Sequence, residues 1–371
     1  MGSFSGRGLL PVLFTMAVSL VPAAASAQTA TLAWDASADA TGYVLSWGTT
    51  AGVYTTSSDV GNRTTFAVSG LVPGTTYYAS ALAYDAAGRR SDNSIPLQFV
   101  APTPAPLGRP LDVNQDGRPD ILWQHDAQGY VAAWLMNGEG LIDSVLLSPT
   151  KVTDTGWKIE GTGDFNGDGK PDLVWRHRTQ GWLAIWLMDG TTLLDSVSIA
   201  PGRVSDPHWR IAAVADMNGD GKSDIVWQES TEGWVVVWLM NGANMTQSLA
   251  TSVERVPDTG WRIVAAADMN GDGKQDLVWQ HTTDGWIAAW LMDGTTVLDS
   301  VLMSPQRVSD PDWTIVGAAD ANGDGKADLY WQDRKNGYLG LWLMNGTALS
   351  TSLSLQPERV ADTGWHIVGV R

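Results

Sequence analysis

The chain reads as all-β: a small antiparallel sandwich followed by a five-bladed β-propeller with four strands per blade. Three observations carry that reading. One stretch returns five times at a constant interval of 52 residues, with Asp112, Asp164, Asp216, Asp268 and Asp320 each opening a D-x-N-x-D-G-x-x-D run. A strict period of that size marks a propeller or solenoid, in which each unit buries its apolar face only against its neighbours. Within one period four short apolar runs are divided by turn signals, the strand count of a propeller blade. The ends of the array are also complementary. The first copy starts at its acidic loop, after Gly108-Arg109-Pro110, and the last runs on into Trp365-His366-Ile367-Val368-Gly369-Val370. The final run thus supplies the strand that the first blade lacks, and closure removes the open sheet edges of a linear array.

Residues 1–27 read as a cleaved export leader. Arg7 is the lone charge ahead of an almost wholly apolar run from Leu9 to Pro22, and Ala25-Ser26-Ala27 supplies a small-x-small cleavage pattern. That run is too short for a membrane span, so the expected address is periplasmic or extracellular. The chain has no cysteine, so disulfides do not rigidify it despite an oxidising destination. Its net charge is −17, and fifteen of its forty acidic residues sit in the five loops. So acidic a chain excludes a nucleic-acid partner.

Residues 28–100 carry short alternating runs such as Thr31-Leu32-Ala33-Trp34 and Gly42-Tyr43-Val44-Leu45-Ser46-Trp47, separated by Gly, Asp, Ser and Thr clusters. That is the pattern of a small sandwich. Trp34, Gly42-Tyr43, Leu71-x-Pro73-Gly74-Thr75-x-Tyr77 and Ala83-Tyr84-Asp85-x-x-Gly88 resemble a fibronectin type III domain. The resemblance implies a tyrosine corner at Tyr77 and the role of a spacer. Residues 101–110, with Ala101-Pro-Thr-Pro-Ala-Pro106, read as a stiff linker, because closely spaced prolines favour polyproline II.

Residues 111–371 form the repeat array. In its third copy the runs are Trp209 to Ala215, Asp224 to Glu229, Trp234 to Met240 and Gln247 to Val256, and Asn241-Gly242 reads as a type I′ hairpin turn. Eighteen of the twenty tryptophans lie in the array, in columns headed by Trp123, Trp134 and Trp157 and by Tyr130. The first two columns read as packing between blades, where large rigid rings fill wedge-shaped gaps.

The acidic loops place oxygen donors at the first, third, fifth and ninth positions. These are Asp112, Asn114, Asp116 and Asp120; Asp164, Asn166, Asp168 and Asp172; Asp216, Asn218, Asp220 and Asp224; Asp268, Asn270, Asp272 and Asp276; and Asp320, Asn322, Asp324 and Asp328. The seventh-position carbonyls of Arg118, Lys170, Lys222, Lys274 and Lys326 add a further oxygen, with the side chains pointing outward. Hard oxygen ligands on a flexible loop suit Ca²⁺, so up to five calcium ions are expected, in a structural role. An EF-hand would need a bidentate Glu at the twelfth position, where Trp175 stands, and a helix after the loop. The nine-residue run Asp164 to Asp172 followed by Leu173-Val174 resembles instead the FG-GAP and VCBS repeats of integrin-α-like propellers. The resemblance implies a calcium loop between the first and second strands of each blade. The integrin-type relative has seven blades where this chain has five copies.

Nothing reads as catalytic: no Ser-His-Asp order, His-Glu-x-x-His run or P-loop is present. The expected function is binding. The rim opposite the calcium loops gathers Gln124, His125, His177, Gln228, Gln280, His281 and Gln332 beside Tyr130, Trp182, Trp234, Trp286 and Tyr338. Planar rings beside amides and imidazoles suit carbohydrate or cell-surface glycans, bound multivalently through five repeated sites. The alternatives are a protein-binding adhesin or scaffold and a polysaccharide-degrading enzyme or its non-catalytic subunit.

Overall fold

The computed structural model describes residues 16–20, 28–37, 40–72, 75–101 and 111–370. The chain divides into two units, 1–106 and 107–371. Most of the expected leader and linker, and Pro73-Gly74 of the tyrosine-corner run, lie outside the described residues.

The first unit is a sandwich of two sheets. One sheet has the order β1-β2-β5, formed by Met16–Leu20, Gln28–Trp34 and Thr65–Leu71. The other has the order β4-β3-β6-β7: β3 is Gly42–Gly48, β4 Thr56–Gly61, β6 Thr76–Tyr84 and β7 Leu97–Val100. Leu32, Trp34, Tyr43 and Leu45 fill the core from alternate strand positions. The Tyr77 hydroxyl accepts the Val72 N–H at 3.1 Å, the tie expected of a tyrosine corner. β1 falls inside the expected leader, where it pairs antiparallel with β2, Val18 opposite Leu32.

The second unit is built from blades. β8 (Ile121–His125), β9 (Tyr130–Asn137) and β10 (Gly140–Lys151) belong to the first. The second has β11 (Trp157–Gly163), β12 (Asp172–His177), β13 (Trp182–Asp189) and β14 (Thr192–Arg203). The third has β15 (Trp209–Ala215), β16 (Asp224–Glu229), β17 (Trp234–Asn241) and β18 (Asn244–Arg255). β19 (Trp261–Ala267), β20 (Asp276–His281), β21 (Trp286–Asp293) and β22 (Thr296–Arg307) make the fourth. β23 (Trp313–Ala319), β24 (Asp328–Asp333), β25 (Tyr338–Asn345) and β26 (Ala348–Arg359) make the fifth. β27 (Trp365–Gly369) pairs antiparallel with β8, Trp365 opposite His125, and completes the first blade.

The inner strands β27, β11, β15, β19 and β23 neighbour one another in a ring. Further contacts join the last blade to the first. The Gln356 N–H donates to the Glu139 carbonyl at 2.7 Å, and Gly138 lies against the Ala321 carbonyl as Gly190 lies against Val113 one blade on.

The hairpin differs from the expected type I′ turn. Asn241 pairs with Asn244, so the loop residues are Gly242 and Ala243, and only Gly242 takes positive φ (62°). A two-residue loop with Gly first has the character of type II′. The fourth strand consequently starts at Asn244, three residues before the expected Gln247.

Tryptophans of the second and third strands pack on each other within each blade, with their rings tilted by 48–54°. Trp123–Trp134, Trp175–Trp186, Trp227–Trp238, Trp279–Trp290 and Trp331–Trp342 have ring centroids 4.6–4.8 Å apart. The packing role expected of these columns holds, with the contact inside a blade as well as between blades.

Candidate functional site

Each acidic loop is a net of backbone hydrogen bonds drawn around its carboxylates. In the second copy Asp164 accepts from the N–H groups of Gly167 (2.7 Å) and Gly169 (2.8 Å), Asn166 from that of Asp168 (2.8 Å), and Asp168 from that of Lys170 (2.8 Å). The tight turn needs positive φ at the fourth and sixth positions, which Gly167 and Gly169 supply. In the first copy Gln115 stands at the fourth position with φ 61°.

The ninth-position Asp is fully buried in every copy and ties the loop to the third strand. Asp172 accepts the Phe165 N–H at 2.9 Å and the Met188 N–H at 3.0 Å, and Asp276 accepts those of Met269 (2.9 Å) and Met292 (2.8 Å). Burial pushes Asp120, Asp172, Asp276 and Asp328 up to about 6 and Asp224 to about 7. The backbone donors oppose the shift, and the outer carboxylates at the first and fifth positions add to it.

Among the described residues no group of three or more His, Cys, Asp or Glu side chains is gathered as a metal cluster. The donor chemistry of the loops still fits a hard cation: their side-chain donors are carboxylate and amide oxygens. The seventh-position side chains are expected to point outward, but four of them turn to the hairpin. Lys170 pairs with Asp189 (2.6 Å) and Lys274 with Asp293 (2.8 Å), while Lys222 and Lys326 donate to Asn241 (2.7 Å) and Asn345 (2.8 Å). They clamp the loop to the hairpin of the same blade.

On the opposite side the structure separates the expected ligand groups into two sets. The glutamines are not free to grip a ligand. Gln124, Gln228, Gln280 and Gln332 are buried between blades. Each donates its amide to a strand-one tryptophan carbonyl of the next blade and accepts the N–H two residues on: Gln228 donates to Trp261 O at 2.9 Å and accepts from Ile263 N at 3.2 Å. Arg176 takes this place in the second blade and donates to the Trp209 carbonyl.

The histidines are also structural. Burial leaves His125, His177 and His281 with little exposed surface. Their Nε2 atoms meet Asp362 (3.2 Å), Asp154 (3.2 Å) and Asp258 (3.3 Å), and their Nδ1 atoms accept the N–H groups of Gln128, Gln180 and Asp284. Their rings stand edge-on to Trp365, Trp157 and Trp261. Glu229 and Asp333 do the same turn-closing work with carboxylates.

The aromatic column remains at the surface. Trp182 is 44% exposed and Tyr338 41%, and Tyr130, Trp234 and Trp286 are half-buried. A cation that sequence reasoning missed lies over each ring. Lys151 sits 5.5 Å from the Tyr130 centroid, Arg203 5.2 Å from Trp182, Arg255 4.8 Å from Trp234, Arg307 6.0 Å from Trp286 and Arg359 5.3 Å from Tyr338. The register causes this, because the end of the fourth strand pairs with the start of the third, Trp182 opposite Arg203. Arg203 and Arg359 also donate Nε to the Gln180 and Asn336 carbonyls at 2.7 Å, which fixes the guanidinium. The signal was present in the sequence: these five cations recur at the same interval of 52.

The model of the FG-GAP-like repeat matches residues 112–175, 164–227, 216–279 and 268–331, together more than half of the chain. The chain belongs to the FG-GAP-like repeat family. The fibronectin type III domain model matches residues 17–100 of this FG-GAP-like protein, beginning at β1. The sandwich is similar to two solved human fibronectin type III domains. One is derived from the KIAA0970 protein (17% identity, 29% of this chain and 89% of that one, TM-score 0.23). The other is the sixth such domain of fibronectin type III domain containing protein 3 (26% identity, 28% and 93%, TM-score 0.21). No curated protein matches the FG-GAP-like chain. Its repeats and its fibronectin type III domain are those of a binding or adhesion-type protein. Among the described residues no helix is long and apolar enough to cross a membrane.

Proposed function

We propose that this is an exported, calcium-stabilised binding protein whose ligand is an acidic carbohydrate polymer held along the propeller rim. The observation that carries this reading is the stacked pair of a basic and an aromatic side chain in every blade. An Arg lying on a Trp covers one face of the ring, which reduces its use as a platform for a neutral sugar. The same contact holds the guanidinium in place, so less freedom is lost when it meets a carboxylate or sulfate. All five cations are exposed, and an acidic polymer spanning several blades gains avidity with no new type of contact. The reading is of binding and not of catalysis, because His125, His177, His281, Glu229 and Asp333 beside the aromatic column are engaged in closing turns. Calcium at the acidic loops would hold the first two strands of each blade together and offset the mutual repulsion of the loop carboxylates.

The test is co-sedimentation with an insoluble acidic polysaccharide in ~1 mM calcium, the affinity range of extracellular modules, with a neutral polysaccharide of the same linkage as control. The triple change Arg203→Ala, Arg255→Ala, Arg307→Ala is expected to cut retention at least ~10-fold through lost avidity while the protein melts normally. Equal retention on the neutral polymer, or retention that survives the triple change, removes the reading.

A protein-binding reading is favoured by a different surface. The outer strands expose Ile142 (59%), Leu194 (59%) and Leu298 (58%) at successive or alternate copies of one repeat position. Exposed aliphatics of that kind suit a protein partner. Binding to a cell surface that no free acidic sugar competes away would select it.

A further inference from the structure

The repeat symmetry breaks in the charge of its side chains at the ends of the inner strands, on the side of the turns between second and third strands. The residue after the entry tryptophan is Lys158, Arg210, Arg262, Thr314 or His366. The clamp position is Gln in four copies and Arg176 in one, and the turn beside it carries Asp126, Arg178, Ser230, Thr282 or Arg334. Because the inner strands form a ring, these five unlike sets face one another about the axis.

The groups form one electrostatic unit. Glu160 feels Arg178, Arg176, Arg210 and Lys158; His366 feels Asp126, Arg334, Lys158 and Arg178; and Arg210 feels Arg262 and Glu160. Six permanent cations therefore face Glu160 and Asp126, with the exposed Asp206 beside Arg176, in a chain whose net charge is −17. One carboxylate is already committed: Asp126 holds Lys158 at 2.7 Å and His366 at 3.0 Å. Burial pushes Glu160 up to about 7, so it only partly offsets the charge near neutrality. Burial and the neighbouring Arg262 bring Arg210 down to about 10. Unmet donors remain as well. Arg176 Nε, Arg210 Nε and Arg262 Nη1 are buried without a hydrogen-bond partner. A buried donor left unsatisfied costs free energy that an acceptor would recover.

We propose that this axial mouth of the ring binds one oxyanion per molecule, a sulfate, phosphate or carboxylate group, either free or as the acidic group of a larger ligand. Guanidinium groups suit such anions because their planar donors match two oxygens at once. A site on the axis meets all five blades together, so it needs no repeat symmetry and takes a single ligand. It does not depend on the rim reading, which uses other residues and expects several equivalent sites.

Isothermal titration of the whole chain with sodium sulfate, against sodium chloride at equal ionic strength, tests the proposal. The expected result is one site and a sulfate-specific rise in melting temperature. Arg262→Gln and Arg178→Ala should each weaken sulfate binding about 10-fold, the usual scale for losing one charged hydrogen bond. Arg178 is exposed, so its removal leaves the fold intact even where Arg262→Gln does not. A short galacturonate oligomer that binds one to one and is displaced by sulfate marks the anion as part of a larger acidic ligand; sulfate binding alone marks a free ion. Chloride matching sulfate, or both variants binding within twofold of the parent, overturns the proposal. Rim variants should leave this single site unchanged.

Discussion

Gln332 Nε2 donates to the Trp365 carbonyl at 3.0 Å, and Gln332 Oε1 accepts the Ile367 N–H at 3.1 Å. The last blade thus holds the strand that completes the first, with the same amide clamp that joins the first blade to the second, the third to the fourth and the fourth to the fifth. Removing the amide leaves a buried carbonyl and a buried N–H without partners. Gln332→Ala is expected to cost about 2 kcal/mol, from one to three per unsatisfied group less relaxation. Deletion of residues 365–371 removes β27 altogether and should abolish cooperative unfolding of the propeller, as thermal denaturation would show. A deletion variant that melts like the parent would mean that the ring does not depend on this strand.

A Cβ on Gly260 would collide with the His281 ring, and one on Gly156 would lie 2.6 Å from His177 Nε2. Gly260→Ala should therefore destabilise by about 1–3 kcal/mol through overpacking. In the third copy the residue before the strand-one tryptophan is His208 and the second strand ends in Glu229, so the bulkier pairing already exists. His281→Glu in the Gly260→Ala background is expected to recover most of the loss. A double-mutant cycle by denaturant titration measures the coupling, and strictly additive effects would contradict it.

Burial would push the Glu229 carboxyl up, but hydrogen bonds from the Thr231 side chain and the N–H groups of Glu232, Thr231 and Gly233 outweigh it and hold it down at about 2. Its folded value lies below its unfolded one, so the stabilisation is complete above the ordinary glutamate value and is lost as pH falls towards about 2. Glu229→Gln should cost about 1 kcal/mol at neutral pH after allowance for solvent screening. The gap between variant and parent melting temperatures should close on acidification through that window. A gap that is constant with pH would show that the charge is not what the turn uses.

Calcium should raise the melting temperature of the propeller and a chelator should lower it. At ten times the dissociation constant each site adds ~1.4 kcal/mol, so five similar sites shift the transition by many degrees. Asp268→Asn weakens one loop and should remove about a fifth of the calcium-dependent shift, read by calorimetry with and without chelator. A transition indifferent to calcium would reassign the loops to hydrogen bonding alone.

The alternation between copies shows how far spacing reaches. Asp-Thr-Gly precedes the strand-one tryptophan in the copies paired with His125, His177 and His281, and Asp-Pro followed by His208 or Asp312 in those paired with Glu229 and Asp333. The sequence displays the alternation without its cause, because the two halves of each pair are 21 residues apart for His281 and Gly260 and span the whole ring for His125 and Gly364. The structure supplies the cause: a glycine makes room for the ring. The Asp189 and Asn241 hairpin positions are explained in the same way, as partners of the loop lysines.

The sequence by itself determined the period, the number of copies, the strand order within a blade and the oxygen-rich loops. Each of these is a matter of short-range spacing, repeated without insertion. It also placed Tyr130, Trp182, Trp234, Trp286 and Tyr338 at the start of the third strand. Only the tertiary structure decided which polar groups remain available. Gln124 and Lys151 look equally free along the chain, yet Gln124 is buried against the next blade while Lys151 lies exposed over Tyr130. Availability depends on what a neighbouring blade or strand sets against a side chain, and burial by a partner more than 30 residues away, as with Gln124 and Trp157, leaves no mark in local pattern.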